Sequence, residues 1–263
     1  MSLLRKCIKF LSNMSVFREY AKYYNLLYQD KDYAKEVEYI HRLIKSFKSD
    51  AVSLLNIGCG TGEHDRLLRA FGYKIKGIDF SDAMIAMAKP FEEKGILEFE
   101  VADARTFRSQ EKYDVVLSLF HVVNYQNSNK SLIDFFTTAH DHLKEGGIFV
   151  FDSWYGPAVL LDKPYIKSKE IENNEMRINR KTVPEIDYNH NIAHINFEIE
   201  ITDKLTNRIT NLKEKHSMRY LFYPEIEIIT TMLGFEIIKF NKWMGDESPT
   251  EKTWYVLFCL LVN

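Results

Sequence analysis

The sequence is expected to fold as an α/β protein: a mostly parallel sheet with helices on both faces, carrying an inserted small antiparallel sheet. Between residues 52 and 154, short β-branched runs alternate with amphipathic helical runs, and such alternation builds βαβ units whose crossovers cover both faces of a parallel sheet. Residues 193 to 201 keep a period of two instead. Ala193, Ile195, Phe197, Ile199 and Ile201 share one face, and His194, Asn196, Glu198 and Glu200 the other, as in a half-buried antiparallel strand. From 223 onward the α/β texture resumes.

Residues 36 to 47, "EVEYIHRLIKSF", place Val37, Ile40, Leu43, Ile44 and Phe47 on one helical face. Next come the strand "AVSLLNIG", a helix through "EHDRLLRAFG", the strand "KIKGIDF", a helix capped by Ser81 over "DAMIAMAKPF", and the strand "LEFEVAD". "YDVVLSLF" is a further buried strand. "KSLIDFFTTAHDHLK" stacks Leu132, Phe135, Phe136, Ala139 and Leu143, with His140 and His142 on its far side, read as surface. Gly146 and Gly147 are expected to stop this helix before the strand "IFVFDSW".

After residue 165 helical patterns are few. "DKLTNR" is a turn after the alternating strand, and "EKHSMRYLFY" a strand returning beside it. "PEIEIITTMLGFEIIKFNKW" reads as a helix starting after Pro224, ending at Gly234 and feeding a strand; "EKTWYVLFCLLV" is the last strand, closing the sheet edge as an antiparallel pair. The chain thus divides into an N-terminal helical lid segment (1–35), a ligand-binding α/β core (36–160), an antiparallel insertion (161–222) that walls a pocket or makes a dimer contact, and a C-terminal helix and strands (223–263) completing the core sheet.

At 263 residues and 46% apolar the chain can bury a full core. Its 35 Lys plus Arg nearly balance 37 Asp plus Glu, so no summed field draws it to nucleic acid or to an anionic membrane. Cys7, Cys59 and Cys259 lie far apart without a CxxC or a paired His, which argues against zinc and disulfide frameworks alike. A reducing cytoplasm is the expected compartment. The opening "MSLLRKCIKFLSNMS" is read as a helix or frayed arm, because its apolar run is too short for a signal peptide, and no later run approaches the about 18 apolar residues of a membrane span.

Between the first strand and its helix stands Gly58-Cys59-Gly60-Thr61-Gly62. A dinucleotide fingerprint would want glycine or alanine at 63, where the chain has Glu63, and no Gly-Lys-Ser/Thr follows to make a P-loop. Glu63 and Asp65 stand where a pyrophosphate would sit at the helix N-terminus and are expected to repel it. There remains a tight loop that lets an adenosine ligand without phosphates approach the backbone. Asp79 closes the second strand about twenty residues past the first glycine, where an acid accepts both ribose hydroxyls. Asp103 closes the third strand, in reach of an exocyclic adenine amine, and Phe80 is placed to cover an adenine face.

In order and spacing, "LLNIGCGTG", "GIDFSDAMIAMAK", "VADARTF", "YDVVLSLFHVVNY" and "LKEGGIFVFDSW" resemble the motifs of class I S-adenosylmethionine-dependent methyltransferases, a Rossmann-like fold, over roughly residues 50 to 155. The resemblance implies S-adenosylmethionine as the ligand. It assigns Gly58, Gly60 and Gly62 to the loop, Asp79 to the ribose, Asp103 to the adenine, and Leu119 and Phe120 to the floor beneath the methyl donor; Cys59, Phe80, Met84 and Ala104 are expected as further cofactor contacts. Asn56 departs from the Asp or Glu the family often has there, and its amide is expected to brace the loop.

More narrowly, "YAKYYNLLYQDKDYAKE", "FHVVNY", "DSWYGP" and the β insertion are similar to the N-methyltransferases that act on amino sugars carried by a nucleotide. In that group the N-terminal tyrosines fold over the cofactor, which implies contacts for Tyr24 and Tyr33.

Methyl transfer from a sulfonium is an in-line displacement, so the protein mainly positions an acceptor about 3 to 3.5 Å from the methyl carbon, and needs no metal. An amine must also lose a proton. The expected catalytic residues are Tyr24, His121 and Tyr125. The expected partner is a small-molecule acceptor, most simply an amine, with transfer to oxygen or a non-catalytic cofactor-binding subunit as alternatives. Nucleic acid is not expected, since the Asn/Asp-Pro-Pro-Tyr/Phe motif for base amines is missing.

Overall fold

Residues 21 to 262 are described by the computed structural model; the opening arm with Cys7, and the first twenty residues of the expected lid segment, lie outside them. The described chain forms two units, the larger from residues 32–163 and 219–262, the smaller from 21–31 and 164–218. The first described helix, α1 (Ala21–Leu27), belongs to the smaller unit.

In the larger unit, α2 (Tyr33–Phe47) starts at Asp32, whose side chain accepts the Lys35 N–H, the side-chain cap that satisfies an orphan donor of the first turn. There follow β1 (Ser53–Ile57), α3 (Glu63–Arg69), β2 (Lys74–Asp79), α4 (Asp82–Ala88), β3 (Leu97–Val101) and β4 (Tyr113–Ser118), then α5 (Asn129–Asp141), β5 (Leu143–Trp154) and α6 (Gly156–Leu161). After the smaller unit the chain returns through α7 (Tyr223–Leu233), β10 (Phe235–Lys242) and β11 (Tyr255–Val262). The sheet order is β3-β2-β1-β4-β5-β11-β10. The strands from β3 to β5 are parallel neighbours, and β11 lies antiparallel to β5 and β10. The closing antiparallel pair expected from sequence is therefore at the edge. The strand order reverses between β1 and β4, and in open α/β sheets the carboxyl ends of the strands at such a switch point frame the ligand crevice.

Alternate residues of β5 enter opposite cores: Ile148 and Val150 pack with Ile40, Leu54 and Leu68, while Phe149 and Phe151 pack with Leu55, Phe136 and Phe258. A strand covered on both faces has no polar side to show, which is why these strands read as unbroken apolar runs. Two expectations are corrected here. Phe47, placed on the apolar face of α2, is 40% exposed at the helix end. The helix of "KSLIDFFTTAHDHLK" stops at Asp141, not at Gly146-Gly147, and His142 is fully buried rather than on the surface. Its Nδ1 donates to Thr138 O at 2.7 Å and its Nε2 accepts the Ser109 N–H at 3.0 Å, an arrangement only the neutral ring can make. Burial lowers its pKa accordingly. The imidazole takes up the helix end, and the chain is in β pairing by Leu143, opposite Tyr113.

The smaller unit is the antiparallel sheet β6 (Lys167–Glu172), β7 (Met176–Asp187), β8 (Ile192–Asp203) and β9 (Ile209–Arg219), in that order, with Arg219 itself counted in the larger unit. Ile199 and Ile201 of β8 turn inward as their spacing requires, and meet Ile171, Ile178 and Leu27 of α1. This is the partner that the apolar face needed.

Candidate active site

The carboxyl ends of β1, β2, β3, β4 and β5 bring together residues that the sequence scatters over a hundred positions. After β1 the chain turns through Gly58, Gly60 and Gly62, all at positive φ, and the N–H groups of Gly58 and Cys59 both donate to Ile78 O. Asp79, half-buried at the end of β2, ties the loop down: its Oδ2 accepts the Gly60 N–H at 2.9 Å and its Oδ1 the Ser81 N–H at 2.8 Å. Burial lifts its pKa above the ordinary carboxylate value, against the pull of those two bonds. A carboxylate offers about four acceptor positions, so two remain for a pair of hydroxyls. A Cβ at Gly60 would meet nothing within 4 Å, whereas one at Gly58 would lie 2.4 Å from Val122 Cγ1. Gly60 thus borders open space, and Gly58 is where the loop presses against the turn after β4.

The reading of Asp65 is corrected, and Asn56 is the residue that holds it. Asp65 does not face a phosphate position: it is wholly buried, its Oδ1 accepting the Asn56 Nδ2–H at 2.7 Å, and burial pushes its pKa up to about 7. Only Glu63 remains outside, paired with Arg66 at 3.3 Å. With Glu63 and Asp79 about the loop, its charged side chains stay acidic; this suits a sulfonium and a ribose diol better than a pyrophosphate.

At the end of β3 the Asp103 carboxylate is held by Arg105, Nε at 2.8 Å from Oδ1 and Nη2 at 2.5 Å from Oδ2. Burial raises the Asp103 pKa, but the Arg105 bonds outweigh it and leave it lowered. The Ala102 N–H bonds Asp79 O, which sets the Asp103-Ala104 pair beside Asp79. Phe80 is half-buried, and Met84, at 3% exposure, is held in the first turn of α4.

After β4, Leu119 is buried, and Phe120 and His121 are successive left-handed residues at φ 66° and 64°. Such backbone is costly for residues with a Cβ and persists only where the surroundings hold it. Here Asp152 of β5, 1% exposed, takes the His121 N–H on Oδ1 at 3.1 Å and lies 2.6 Å from Nδ1 through Oδ2. The imidazole stacks on Tyr255 at 4.6 Å and 16°. Tyr125 ends the next turn, which buried Asn124 fixes to β5 through Ser153 Oγ and the Trp154 N–H.

Tyr33, at the head of α2, meets the His64 ring edge-on at 4.9 Å, and His64 Nε2 lies 2.8 Å from Glu36 Oε2 in a buried pair against the start of α3. Tyr24 lies in the smaller unit, its ring 4.7 Å from that of Tyr28. Asp152, Arg105, Glu36 and His64 escaped the sequence reading. Arg105 alone had a local signal, two residues after the acid it clamps.

Residues 54–147 match the model of a methyltransferase domain. They run from β1 into β5 and so contain the glycine loop, Asp79, Asp103 and the His121 turn. The chain is 32% identical over 147 residues to the dTDP-3-amino-3,4,6-trideoxy-alpha-D-glucopyranose N,N-dimethyltransferase of Streptomyces venezuelae, covering 55% of this chain and 61% of that one. It is 29% identical over 158 residues to the dTDP-4-amino-2,3,4,6-tetradeoxy-D-glucose N,N-dimethyltransferase of Saccharopolyspora spinosa, covering 58% and 62%. Over the α/β core the chain is thus similar to a methyltransferase domain and to both of these relatives. It spans about three fifths of the length of those two relatives. The methyltransferase fold extends further: the crystal structure of Streptomyces venezuelae DesVI superposes with a TM-score of 0.78 at 22% identity, over 93% of this chain and 98% of that one. A structure of an S-adenosylmethionine-dependent methyltransferase from Clostridium acetobutylicum does so at 0.77 and 19% identity, over 94% and 99%. Among the described residues no helix is long and apolar enough to cross a membrane.

Proposed function

We propose that the chain is a cytoplasmic N-methyltransferase that uses S-adenosylmethionine and acts on the amine of a nucleotide-linked amino sugar. When bound, S-adenosylmethionine supplies a methyl group already activated by its sulfonium. Asp79 would accept the ribose hydroxyls, Asp103 the adenine amine, and the Gly58–Gly62 loop would admit the ligand where Gly60 leaves room. Leu119 and Phe120 would form the floor, with Tyr33 and Tyr125 as further contacts.

His121 carries the reading toward an amine. An alkyl amine reaches a neutral solution as its ammonium and has no lone pair to attack with until a base takes a proton. A half-buried imidazole backed by a buried carboxylate, on the turn pressed against the glycine loop, is suited to that task. Both curated relatives described above are named as dimethyltransferases of amino sugars borne on dTDP, which supports the acceptor class. The inserted sheet is read as serving the acceptor or self-association; solution scattering separates a monomer from a dimer.

Incubating the purified chain with methyl-labelled S-adenosylmethionine and a panel of dTDP-linked amino sugars, hydroxylated sugars and simple amines tests the reading. Label should pass to amino sugars. Transfer only to hydroxyl acceptors, or to none, overturns it.

A further inference from the structure

We infer that Asp152 is the positioning residue of this site: it locks His121 in one tautomer and one backbone conformation, so that Nε2 alone is presented to the acceptor. The inference rests on the reading of His121 as the base.

The geometry is unusually directed for one side chain. Asp152 is 1% exposed, yet among the described residues its two recorded polar contacts both go to His121, one to the backbone N–H at 3.1 Å and one to Nδ1 at 2.6 Å. A carboxylate kept out of water is costly unless charge and hydrogen bonds meet it. The backbone contact falls at the second of the two left-handed residues, Phe120 and His121, where a turn without glycine needs an external hold. The side-chain contact decides which nitrogen carries the proton. Only Nδ1–H is compatible with a carboxylate at that distance, so the lone pair of the neutral ring lies on Nε2.

Tyr255 closes the arrangement from the next strand, stacking on the imidazole and barring rotation of the ring. The Nδ1–H line is turned off the oxygen despite the short separation, and catalytic hydrogen bonds of this kind tighten when the site is loaded. In the step itself an N–H bond of the acceptor's ammonium breaks, its electron pair stays on nitrogen, and the proton bonds to Nε2. The resulting imidazolium faces the Asp152 carboxylate. The charged or titratable groups recorded against His121 are Asp152 from β5 and Tyr255 from β11.

Asp152→Asn keeps the shape and removes the charge. Ring nitrogen-15 shifts of His121, assigned by comparison with His121→Asn, should show the neutral ring protonated at Nδ1 in the wild type and moved toward Nε2–H in Asp152→Asn. Single-turnover methylation of dTDP-3-amino-3,4,6-trideoxy-alpha-D-glucopyranose should fall about 100-fold or more, the size of general-base assistance. Calorimetric binding of S-adenosylhomocysteine should stay within about twofold, which shows that the variant is folded. An Nε2–H tautomer in the wild type, or one that does not change in Asp152→Asn, overturns the inference with no acceptor needed. So does an unchanged rate in Asp152→Asn on an amine that the wild type methylates. If the wild type methylates no amine, the functional reading falls, and the tautomer still decides the role of Asp152.

Discussion

Asp79 joins three pieces of the proposed cofactor crevice, because its carboxylate accepts the Gly60 N–H from the loop and the Ser81 N–H ahead of the next helix while keeping two acceptor positions for a ligand. Losing a charge-assisted contact of this kind costs roughly 1.5 to 3 kcal/mol. Asp79→Ala should therefore weaken S-adenosylhomocysteine binding at least tenfold by calorimetry, and unchanged affinity would remove the ribose assignment. A dependence on pH follows. The ribose hydroxyls would donate to the ionised carboxylate, whose pKa burial raises, so affinity should be full on the alkaline side and fall as pH drops through that raised value, sooner than for an ordinary Asp. In Asp79→Asn the acid-side fall should vanish along with the tighter binding. A wild type whose affinity is flat from pH 7 down to pH 4 contradicts the argument.

Between elements, the contact that matters is Gly58 against Val122, because it sets the loop after β1 on the turn after β4. A Cβ there would overlap Val122 and sit at φ 78° as well. Gly58→Ala should lower both the melting temperature and cofactor affinity, and Val122→Ala should restore the part due to overlap while leaving the backbone strain of about 1 to 2 kcal/mol. Strictly additive effects in that double-mutant cycle would show that the two elements are not in contact.

At this scale the legible and illegible parts of the sequence also separate. Strands covered on both faces, such as β4, were legible as apolar runs, and β8 by its period of two. β7 was not, since Arg180 stands on the inward face opposite Ile199, its guanidinium 4.6 Å from the centre of the Phe197 ring, and a charged residue at an apolar position breaks the pattern. β6 has only Ile171 to show. The end of α5 depended on what the His142 ring would bond, a tertiary fact. The site divides likewise: the glycines, Asp79 and Asp103 stand at fixed offsets from strand ends, whereas Asp152 reaches His121 across 31 positions and His64 meets Glu36 across 28, distances no local pattern encodes.

Over the whole molecule, the near balance of charge hides buried groups that do not share one preferred pH. Asp65 and Glu214 are both pushed up to about 7 by burial, and His216 is pushed down to about 4, by burial first and by Arg180 second. For the two acids the folded pKa lies above the unfolded one. Their contribution to stability is therefore fully present below the ordinary carboxylate pKa and is lost as pH rises through about 7. His216 opposes them, since a ring buried neutral costs stability as pH falls from about 6.5 toward 4. Asp79 is raised in the same direction, and His41 and His142 are lowered with His216 but less far; the acids' larger shifts leave a net loss on going from pH 5 to pH 8, so the chain should melt at a higher temperature at pH 5. Asp65→Asn isolates the largest burial: it removes the ionisation while an amide oxygen can still accept the Asn56 Nδ2–H that Asp65 Oδ1 now takes at 2.7 Å. The variant should gain on the wild type at pH 8, lose most of that gain at pH 5, and flatten the melting profile between them. Calorimetric melts of both proteins across that range decide it, and a variant destabilised equally at both ends would mean that Asp65 is ionised in the fold after all.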